Sequence, residues 1–311
     1  MKASEIALGR RFEKALEEFS RDQFPLPGIE EPRRRAVLVE QLIDSDRRIR
    51  FIATLLERDI SPLRADPKSQ LFDPVRASIL KMREGKVDEA FWLVFLFVHF
   101  GKNLRSGYRL VRDIYGALGE RQHWTWERIS RNIDSFHEWL IKHYEILKGA
   151  DDVSRGFGNH RKYESLRDEY TGATIESYVN WIGASRSHEK FLASILEQNE
   201  GDPYASFDDL YESMEDVYRF GRTARFDYLT MIAKIGLVPI APGVPYLIGA
   251  TGPLAGAKLL FTTARMAPTS TRQLEARVVL LGNALGVGMQ VMEDSLCNWQ
   301  KDPDNYTRFN G

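Results

Sequence analysis

Hydrophobic side chains recur along most of the chain at intervals of three and four residues, which is the spacing of an amphipathic helix. The first segment shows this spacing with Ile6, Phe12, Leu16 and Phe19, which alternate with charged residues. Clusters of proline, glycine and aspartate separate the periodic segments. Helices are predicted approximately over residues 4–22, 34–58, 75–84, 88–100, 107–118, 124–131, 134–148, 173–183, 187–198, 206–220, 222–236, 253–265 and 271–299. No stretch alternates apolar and polar residues convincingly as a half-buried strand would, so the sequence predicts an all-α fold in the form of a helical bundle.

The segment 88–100 differs from the others because it is apolar on every side. A helix of this kind is expected at the centre of a core rather than at the surface. We therefore expect residues 1–88 to form an N-terminal helical layer over a catalytic body of residues 89–311, with one continuous core joining the two.

The composition excludes several classes of protein. The 311 residues include a single cysteine, which rules out a disulfide framework and a cysteine-built metal site. The six histidines show no metal-ligand spacing and no nucleotide-binding glycine motif occurs, so neither a metal nor another cofactor is expected. The longest apolar run, Ala90–Val98, is about half of a membrane span, and the N-terminus lacks the apolar stretch of a signal peptide. We expect no membrane association and a cytoplasmic location.

Charge is unevenly distributed although the formal net charge is only −1. Basic side chains predominate over residues 99–167 and 219–277, whereas acidic side chains predominate over residues 168–218. The basic segments could form the surface that binds a polyanion such as DNA, or they could pair with the acidic segment within the fold. Charge alone leaves both interpretations open.

A glycine-rich turn precedes the predicted helix 253–265. Gly249 and Gly252 are followed by Pro253 and, five residues later, by Lys258. A turn of this kind leaves backbone N–H groups free to bind a phosphate at the start of a helix. It also resembles the hairpin of helix-hairpin-helix DNA glycosylases, with one extra residue between the glycines. The alternative is a corner where two helices pack tightly.

Two further groups of residues have the chemistry of nucleic-acid recognition. Arg222 and Arg225 lie on one face of the helix 222–236, where they could contact phosphates or pair with Glu215 or Asp216. The loop after residue 156 combines hydrogen-bond donors, positive charge and an aromatic ring, which suit a base pocket. The predicted pocket residues are Asn159, His160, Arg161, Lys162 and Tyr163.

Two acidic residues lie on a mainly apolar helix near the C-terminus. Glu293 and Asp294 either face solvent at its edge or are half-buried, in which case a raised pKa would suit a general acid or base. Cys297, on the same face, is more typical of a small core residue than of a nucleophile.

Several long motifs together resemble one family, the α-glutamyl/putrescinyl thymine pyrophosphorylase family, clade 3. The resemblance runs from about residue 90 to the C-terminus. The motifs are FVHFGK (97–102), WTWER (124–128), FGNHRKYESL (157–166), FGRTARFDYLTMIAKIGL (220–237), YLIGATGPLAGAKLL (246–260) and EDSLCNWQK (293–301). The resemblance implies a core like that of helix-hairpin-helix DNA glycosylases, DNA carrying modified bases as the partner, and a modified pyrimidine as the target.

Three functions are compatible with this resemblance. The first is a DNA glycosylase that flips the nucleotide out of the duplex and excises hypermodified pyrimidines, an activity that would serve in defence against phages. Gly249, Gly252, Lys258, Arg222 and Arg225 would then bind the DNA backbone, and the loop 159–163 would contact the base. A carboxylate is needed beside the sugar because positive charge develops there. The candidates, in order of preference, are Asp294, Glu293 and Asp227, the last because basic neighbours would keep it ionised.

The alternative enzyme is a transferase that adds an amino acid or polyamine to an activated thymine or 5-hydroxymethyluracil base in DNA and leaves the glycosidic bond intact. The acidic segment 202–216 is then a candidate pocket for the amine. The third possibility is a DNA-binding module without catalytic activity. The sequence does not indicate an oligomeric state.

Overall fold

The computed structural model describes residues 3–263 and 268–308, and over these residues it is all-α. Fourteen α-helices, joined by short 3-10 and π turns, account for its regular structure, and the described residues contain no strand. The helices are α1 Ala3–Asp22, α2 Pro32–Glu57, α3 Pro74–Arg83, α4 Val87–Phe100, α5 Arg109–Tyr115, α6 Trp126–Arg131, α7 Ile133–Glu145, α8 Ala173–Ile182, α9 His188–Gln198, α10 Pro203–Ser213, α11 Arg222–Ile235, α12 Gly252–Phe261, α13 Thr271–Leu285 and α14 Met289–Trp299. The all-α prediction is confirmed.

Local sequence signals explain many of the helix boundaries. Asp73 caps α3 by accepting hydrogen bonds from the backbone N–H groups of Val75 and Arg76. Ser270 and Gln273 form a reciprocal capping box at the start of α13. These bonds satisfy donors that have no partner within the helix, and they fix where each helix begins.

The chain forms two compact units. One contains Met1–Ala53 and Pro242–Asn310, and the other contains Thr54–Ala241. These units do not coincide with the segments 1–88 and 89–311 expected from the sequence. The first unit joins both ends of the chain, because α1 and α2 share a core with α12, α13 and α14.

The second unit is built around α4. Residues 90–96 of this helix have no exposed surface, which confirms that the apolar segment 88–100 forms a buried helix. The helices α3 and α11 pack against it, and the ring of Phe95 stacks on Tyr178 of α8 and meets Tyr228 of α11 edge to face. Since α11 carries several candidate site residues, α4 is the element that positions them.

Several predicted helices end earlier than the sequence pattern suggested. The predicted helix 271–299 is two helices, because Gly286 adopts a left-handed conformation (φ +66°) that ends α13 and Gly288 precedes α14. The predicted helix 206–220 begins at Pro203, which Asp202 caps, and its α-helical part ends at Ser213. The helix predicted to reach residue 265 ends at Phe261, because Thr262 adopts an extended conformation.

Among the described residues, no helix combines the length and the apolar character that crossing a bilayer requires.

Candidate functional site

The helix α11 carries one candidate catalytic residue, Asp227. Its buried face, which includes Tyr228, Leu229 and Ile232, packs into the core of the second unit. Asp227 itself is only partly buried and keeps 48% of its side-chain surface exposed. The buried face holds α11 in place, and Asp227 lies at the surface on the other side of the helix.

The loop that follows residue 156 is anchored on the end of α4. The N–H of Gly158 donates to the carbonyl oxygen of Phe100 at 2.7 Å. A Cβ on Gly158 would lie only 2.8 Å from the backbone nitrogen of Lys102, so the close approach of the two backbones requires glycine at this position. The ring of Phe157 also stacks on that of Phe100. These contacts fix the base of the loop.

Arg161 connects this loop to α11. Its Nε donates to the carbonyl oxygen of Val98 at 2.9 Å, and its Nη2 lies 3.5 Å from Oδ2 of Asp227. Only 12% of its side chain is exposed. The structure therefore brings together one predicted pocket residue and one predicted catalytic residue that are 66 positions apart in the chain.

The electrostatic environment of Asp227 combines burial with positive charge. The protein around the carboxylate raises its pKa, while Arg161, His160, Lys234 and Arg222 act in the opposite direction. The net pKa is raised from its ordinary value. Desolvation by the surrounding protein therefore outweighs the nearby positive charge and favours the protonated form of Asp227.

The other predicted pocket residues lie on the outer side of the same loop. Asn159, His160 and Lys162 are exposed. Tyr163 is 80% exposed, and the ammonium group of Lys162 lies 5.0 Å from the centre of its ring. The loop thus turns Arg161 inward to Asp227 and leaves an aromatic and cationic surface facing solvent.

The two arginines of α11 differ in their surroundings. Arg225 is 12% exposed, donates to Glu215 at 2.8 Å and to the carbonyl oxygen of Tyr211 at 3.0 Å, and lies over the Tyr211 ring. These contacts match the alternative interpretation in which Arg225 pairs with Glu215. Arg222, the first residue of α11, lies over the ring of Phe226 and contributes positive potential at Asp227.

Sequence analysis missed a buried polar network that holds α11 in place. Tyr228 Oη bonds to Tyr178 Oη at 2.8 Å, Tyr178 Oη bonds to His188 Nε2 at 2.7 Å, and His188 Nδ1 bonds to Asp88 at 2.8 Å. His188 has no exposed surface, and burial lowers its pKa although Asp88 acts in the opposite direction. This hydrogen-bond network connects α4, α8, α9 and α11. Its residues share no short sequence motif, so only the folded structure reveals it.

The glycine-rich turn belongs to the first unit, where it forms a close helix contact. A Cβ on Gly252 would lie 2.6 Å from Sγ of Cys297, and one on Gly256 would lie 2.4 Å from the carbonyl oxygen of Leu296. Both distances are too short for a side chain, so α12 and α14 pack backbone to backbone. This arrangement matches the tight helix corner that the sequence left open.

Two other residues of the predicted DNA-binding turn face different environments. Gly249 adopts a left-handed backbone conformation (φ +75°) with open space where a Cβ would be. Lys258 is exposed on α12. Their proposed contacts with DNA remain predictions.

Asp294, the preferred catalytic residue in the sequence analysis, lies within a polar network between α2 and α14. Its Oδ2 accepts hydrogen bonds from Ser45 Oγ at 2.8 Å and from Arg48, and its Oδ1 accepts from Asn298 Nδ2 at 3.0 Å. Arg48 also pairs with Asp44. These bonds occupy both carboxylate oxygens of Asp294 and link α14 to α2. Glu293 is half-buried on the same helix.

The candidates therefore fall into two groups. Asp227, Arg222, Arg225 and the loop 159–163 belong to the second unit, and the remaining candidates belong to the first unit. A single site that combines the turn 249–258 with Asp294 and the loop remains a prediction, as does the helix-hairpin-helix core. The part of the chain described by the structure contains no group of three or more His, Cys, Asp or Glu side chains placed to hold a metal ion.

Comparisons with known proteins agree with the motifs. No curated protein and no solved structure matches the chain. The family model described as alpha-glutamyl/putrescinyl thymine pyrophosphorylase clade 3 matches residues 33–311. This match covers nearly the whole chain and confirms the resemblance seen in the sequence motifs. The chain therefore belongs to the α-glutamyl/putrescinyl thymine pyrophosphorylase family, clade 3.

Proposed function

We propose that the protein is a transferase that acts on a modified thymine in DNA and joins an amine, from an amino acid or a polyamine, to the 5-methylene carbon of the base. The base would enter the reaction with its 5-hydroxymethyl oxygen carrying a diphosphate. The transfer would release that diphosphate and leave the glycosidic bond intact.

The observation that carries this proposal is the pairing of Asp227 with Arg161 on an accessible, positively charged surface. A carboxylate with a raised pKa is a better proton acceptor near neutral pH than an ordinary aspartate, whose pKa is about 3.9. Guanidinium groups bind phosphate oxygens with two parallel hydrogen bonds. The site therefore offers the two functions that displacement of a diphosphate by an amine needs.

The proposed reaction is a substitution at one carbon. The amine nitrogen forms a bond to the 5-methylene carbon as the carbon–oxygen bond breaks, and the electron pair of that bond leaves with the diphosphate. Asp227 accepts the proton that the nitrogen loses. Arg161, with His160 and Arg222 nearby, stabilises the negative charge that develops on the leaving group. No oxidant or reductant is required.

The family description favours this reaction over base excision. A pyrophosphorylase makes or breaks a bond to diphosphate, whereas a glycosylase hydrolyses the bond between base and sugar. The expectation of a glycosylase has no support from the family match. The exposed ring of Tyr163 and the loop around it suit a base turned out of the duplex in either reaction.

The experiment is to incubate the purified protein with DNA that carries diphosphorylated 5-hydroxymethyluracil, together with putrescine or glutamate. We expect the mass of the modified nucleoside to change to that of the amine adduct, with release of one diphosphate per adduct and no alkali-labile site. Alkali-labile strands would support the glycosylase instead, and DNA recovered unchanged with each amine would contradict the proposal.

A further inference from the structure

The loop between α4 and α5 is short, exposed at its tip and closed by internal hydrogen bonds. The backbones of Asn103 and Gly107 exchange two hydrogen bonds, of 3.0 and 2.9 Å. The side-chain oxygen of Asn103 accepts from the N–H groups of Arg105 and Ser106 at 2.9 and 3.0 Å. A loop closed by four internal hydrogen bonds keeps its shape without help from a partner.

This loop carries an exposed leucine at its tip. Leu104 is 73% exposed, more than any other large aliphatic side chain reported as exposed in the described chain. Exposure of a single leucine is common, but a rigid loop that holds one away from the surface presents it to a partner.

The same loop is fastened to the candidate site. Nδ2 of Asn103 donates to the carbonyl oxygen of Phe157 at 2.9 Å, and a Cβ on Gly156 would lie 2.7 Å from that nitrogen. Phe157 begins the segment that carries Arg161 and, through it, contacts Asp227. Leu104 is thus held at a fixed position relative to the proposed reactive carboxylate.

Positive charge surrounds the leucine. Lys102 and Arg105 flank it and are exposed, and Lys162 is exposed on the adjoining loop. The ion pairs reported within the described chain include none of these three residues. This arrangement complements duplex DNA. The cations can contact its phosphates, and the apolar leucine can contact the flat faces of its stacked bases.

We propose that Leu104 inserts into the base stack of duplex DNA and fills the space left by a base that has turned out toward Asp227. This inference rests on the proposed function, because it requires DNA as the substrate. Enzymes that act on a base within a duplex commonly turn it out of the stack to reach its reacting atom, and this leaves a gap to be filled. Lys102 and Arg105 would contact the phosphates on either side of the gap.

The test compares Leu104→Ala with the matched control Leu63→Ala, which removes another exposed leucine of the same unit (50% exposed). The probe is a duplex with a central diphosphorylated 5-hydroxymethyluracil, the proposed substrate, and with the fluorescent base 2-aminopurine beside it. The emission of 2-aminopurine rises when the stack opens. The single strand of the same sequence serves as the second ligand. Circular dichroism melting establishes that both variants are folded.

We expect the wild-type protein and Leu63→Ala to raise 2-aminopurine emission on the duplex. Leu104→Ala should lose most of this rise and bind the duplex at least about threefold more weakly, because the cost of unstacking is no longer offset. Its affinity for the single strand should be unchanged, since no stack has to be opened.

Two results would overturn the inference in distinguishable ways. If Leu104→Ala opens and binds the duplex as the wild type does, the insertion is wrong while the proposed function stands. If the wild-type protein binds neither DNA, the proposed function fails and the insertion fails with it. Equal weakening of Leu104→Ala on duplex and single strand would indicate a general contact with DNA and would also contradict insertion.

Discussion

Nη2 of Arg161 lies 3.5 Å from Oδ2 of Asp227, while Nε of the same guanidinium donates to the carbonyl oxygen of Val98 at 2.9 Å. One side chain thus ties the end of the central helix α4 to the carboxylate of α11. Because Arg161 is nearly buried, its charge is only partly screened by solvent, and it acts on Asp227 from a fixed position. The proposed chemistry depends on this relationship.

The first prediction concerns the pH dependence of the reaction. Arg161→Gln removes a cation that holds the pKa of Asp227 down against the effect of burial, so this pKa should rise further. The protonated form would then persist to higher pH, and the acid limb of the plot of kcat/KM against pH should move to higher pH. A matched variant, Arg219→Gln, removes a guanidinium that pairs with Glu164, and it should leave the limb in place. An unmoved limb in Arg161→Gln would contradict the role of Asp227 as proton acceptor.

The second prediction separates the two arginines of α11. Arg225→Ala removes the bonds to Glu215 and Tyr211 and should lower the free energy of unfolding by about 1–2 kcal/mol, with little effect on DNA affinity. Arg222→Ala should instead weaken DNA binding and reduce the slope of log affinity against log salt by about one, as expected for a single phosphate contact. Denaturant unfolding and a salt titration of binding measure the two effects. If Arg225→Ala instead weakens DNA binding and lowers the salt slope, Arg225 contacts DNA and the assignment is wrong.

The third prediction concerns the contact between α12 and α14. Gly256→Ala places a methyl group 2.4 Å from the carbonyl oxygen of Leu296, and a backbone atom cannot move as freely as a side chain. We expect a loss of about 1–3 kcal/mol in the free energy of unfolding. Gly9→Ala, inside α1 of the same unit, is the control: its Cβ would lie 3.4 Å or more from its neighbours, and alanine suits a helix interior, so the variant should be neutral or more stable. Equal stability of the two variants would contradict backbone packing at Gly256.

The fourth prediction concerns acid stability. Burial, together with the charges of Arg161 and Arg219, lowers the pKa of His99 to about 3. The unfolded chain takes up this proton near pH 6.5 and the folded chain does not, so stability should fall as the pH drops below about 6.5, by up to about 1.4 kcal/mol per pH unit. His99→Phe removes the group and keeps an aromatic ring beside Phe95, so its stability should fall less steeply. The free energy of unfolding of both proteins is measured between pH 7.5 and pH 5. If it falls equally steeply with pH in the two, His99 is not the origin of the acid sensitivity.

Hydrophobic periodicity was sufficient to predict the fold class, because most helices bury one continuous apolar stripe. The helix α4 was identified as buried by the opposite signal, since it is apolar on every side. Hydrophobic periodicity failed to predict a helix end where the apolar pattern continues but the backbone conformation changes. The apolar pattern runs through residues 271–299, but the left-handed Gly286 ends one helix there. The pair Gly286 and Gly288 was the available signal, and it was outweighed by the periodicity around it.

The candidate site was predictable residue by residue but not in its arrangement. The loop residues and Asp227 were recognised from their chemistry, and the motif FVHFGK lies beneath them. Their contact depends on the backbone fit of Gly101 against Gly158, which involves positions far apart in the chain. The ranking of Asp294 above Asp227 could not be tested on the sequence, because Arg48 and Ser45 approach Asp294 from a distant helix.

The most direct test of the central claim is to measure amine transfer to diphosphorylated 5-hydroxymethyluracil in DNA by nucleoside mass spectrometry, with Asp227→Asn beside Asp216→Asn. Asp216 is exposed, lies in the same unit and is the matched control. The account predicts that Asp227→Asn binds DNA like the wild type and forms the adduct at least about 100-fold more slowly, the usual contribution of a general base, while Asp216→Asn keeps the wild-type rate. Adduct formation by Asp227→Asn at the wild-type rate would contradict it.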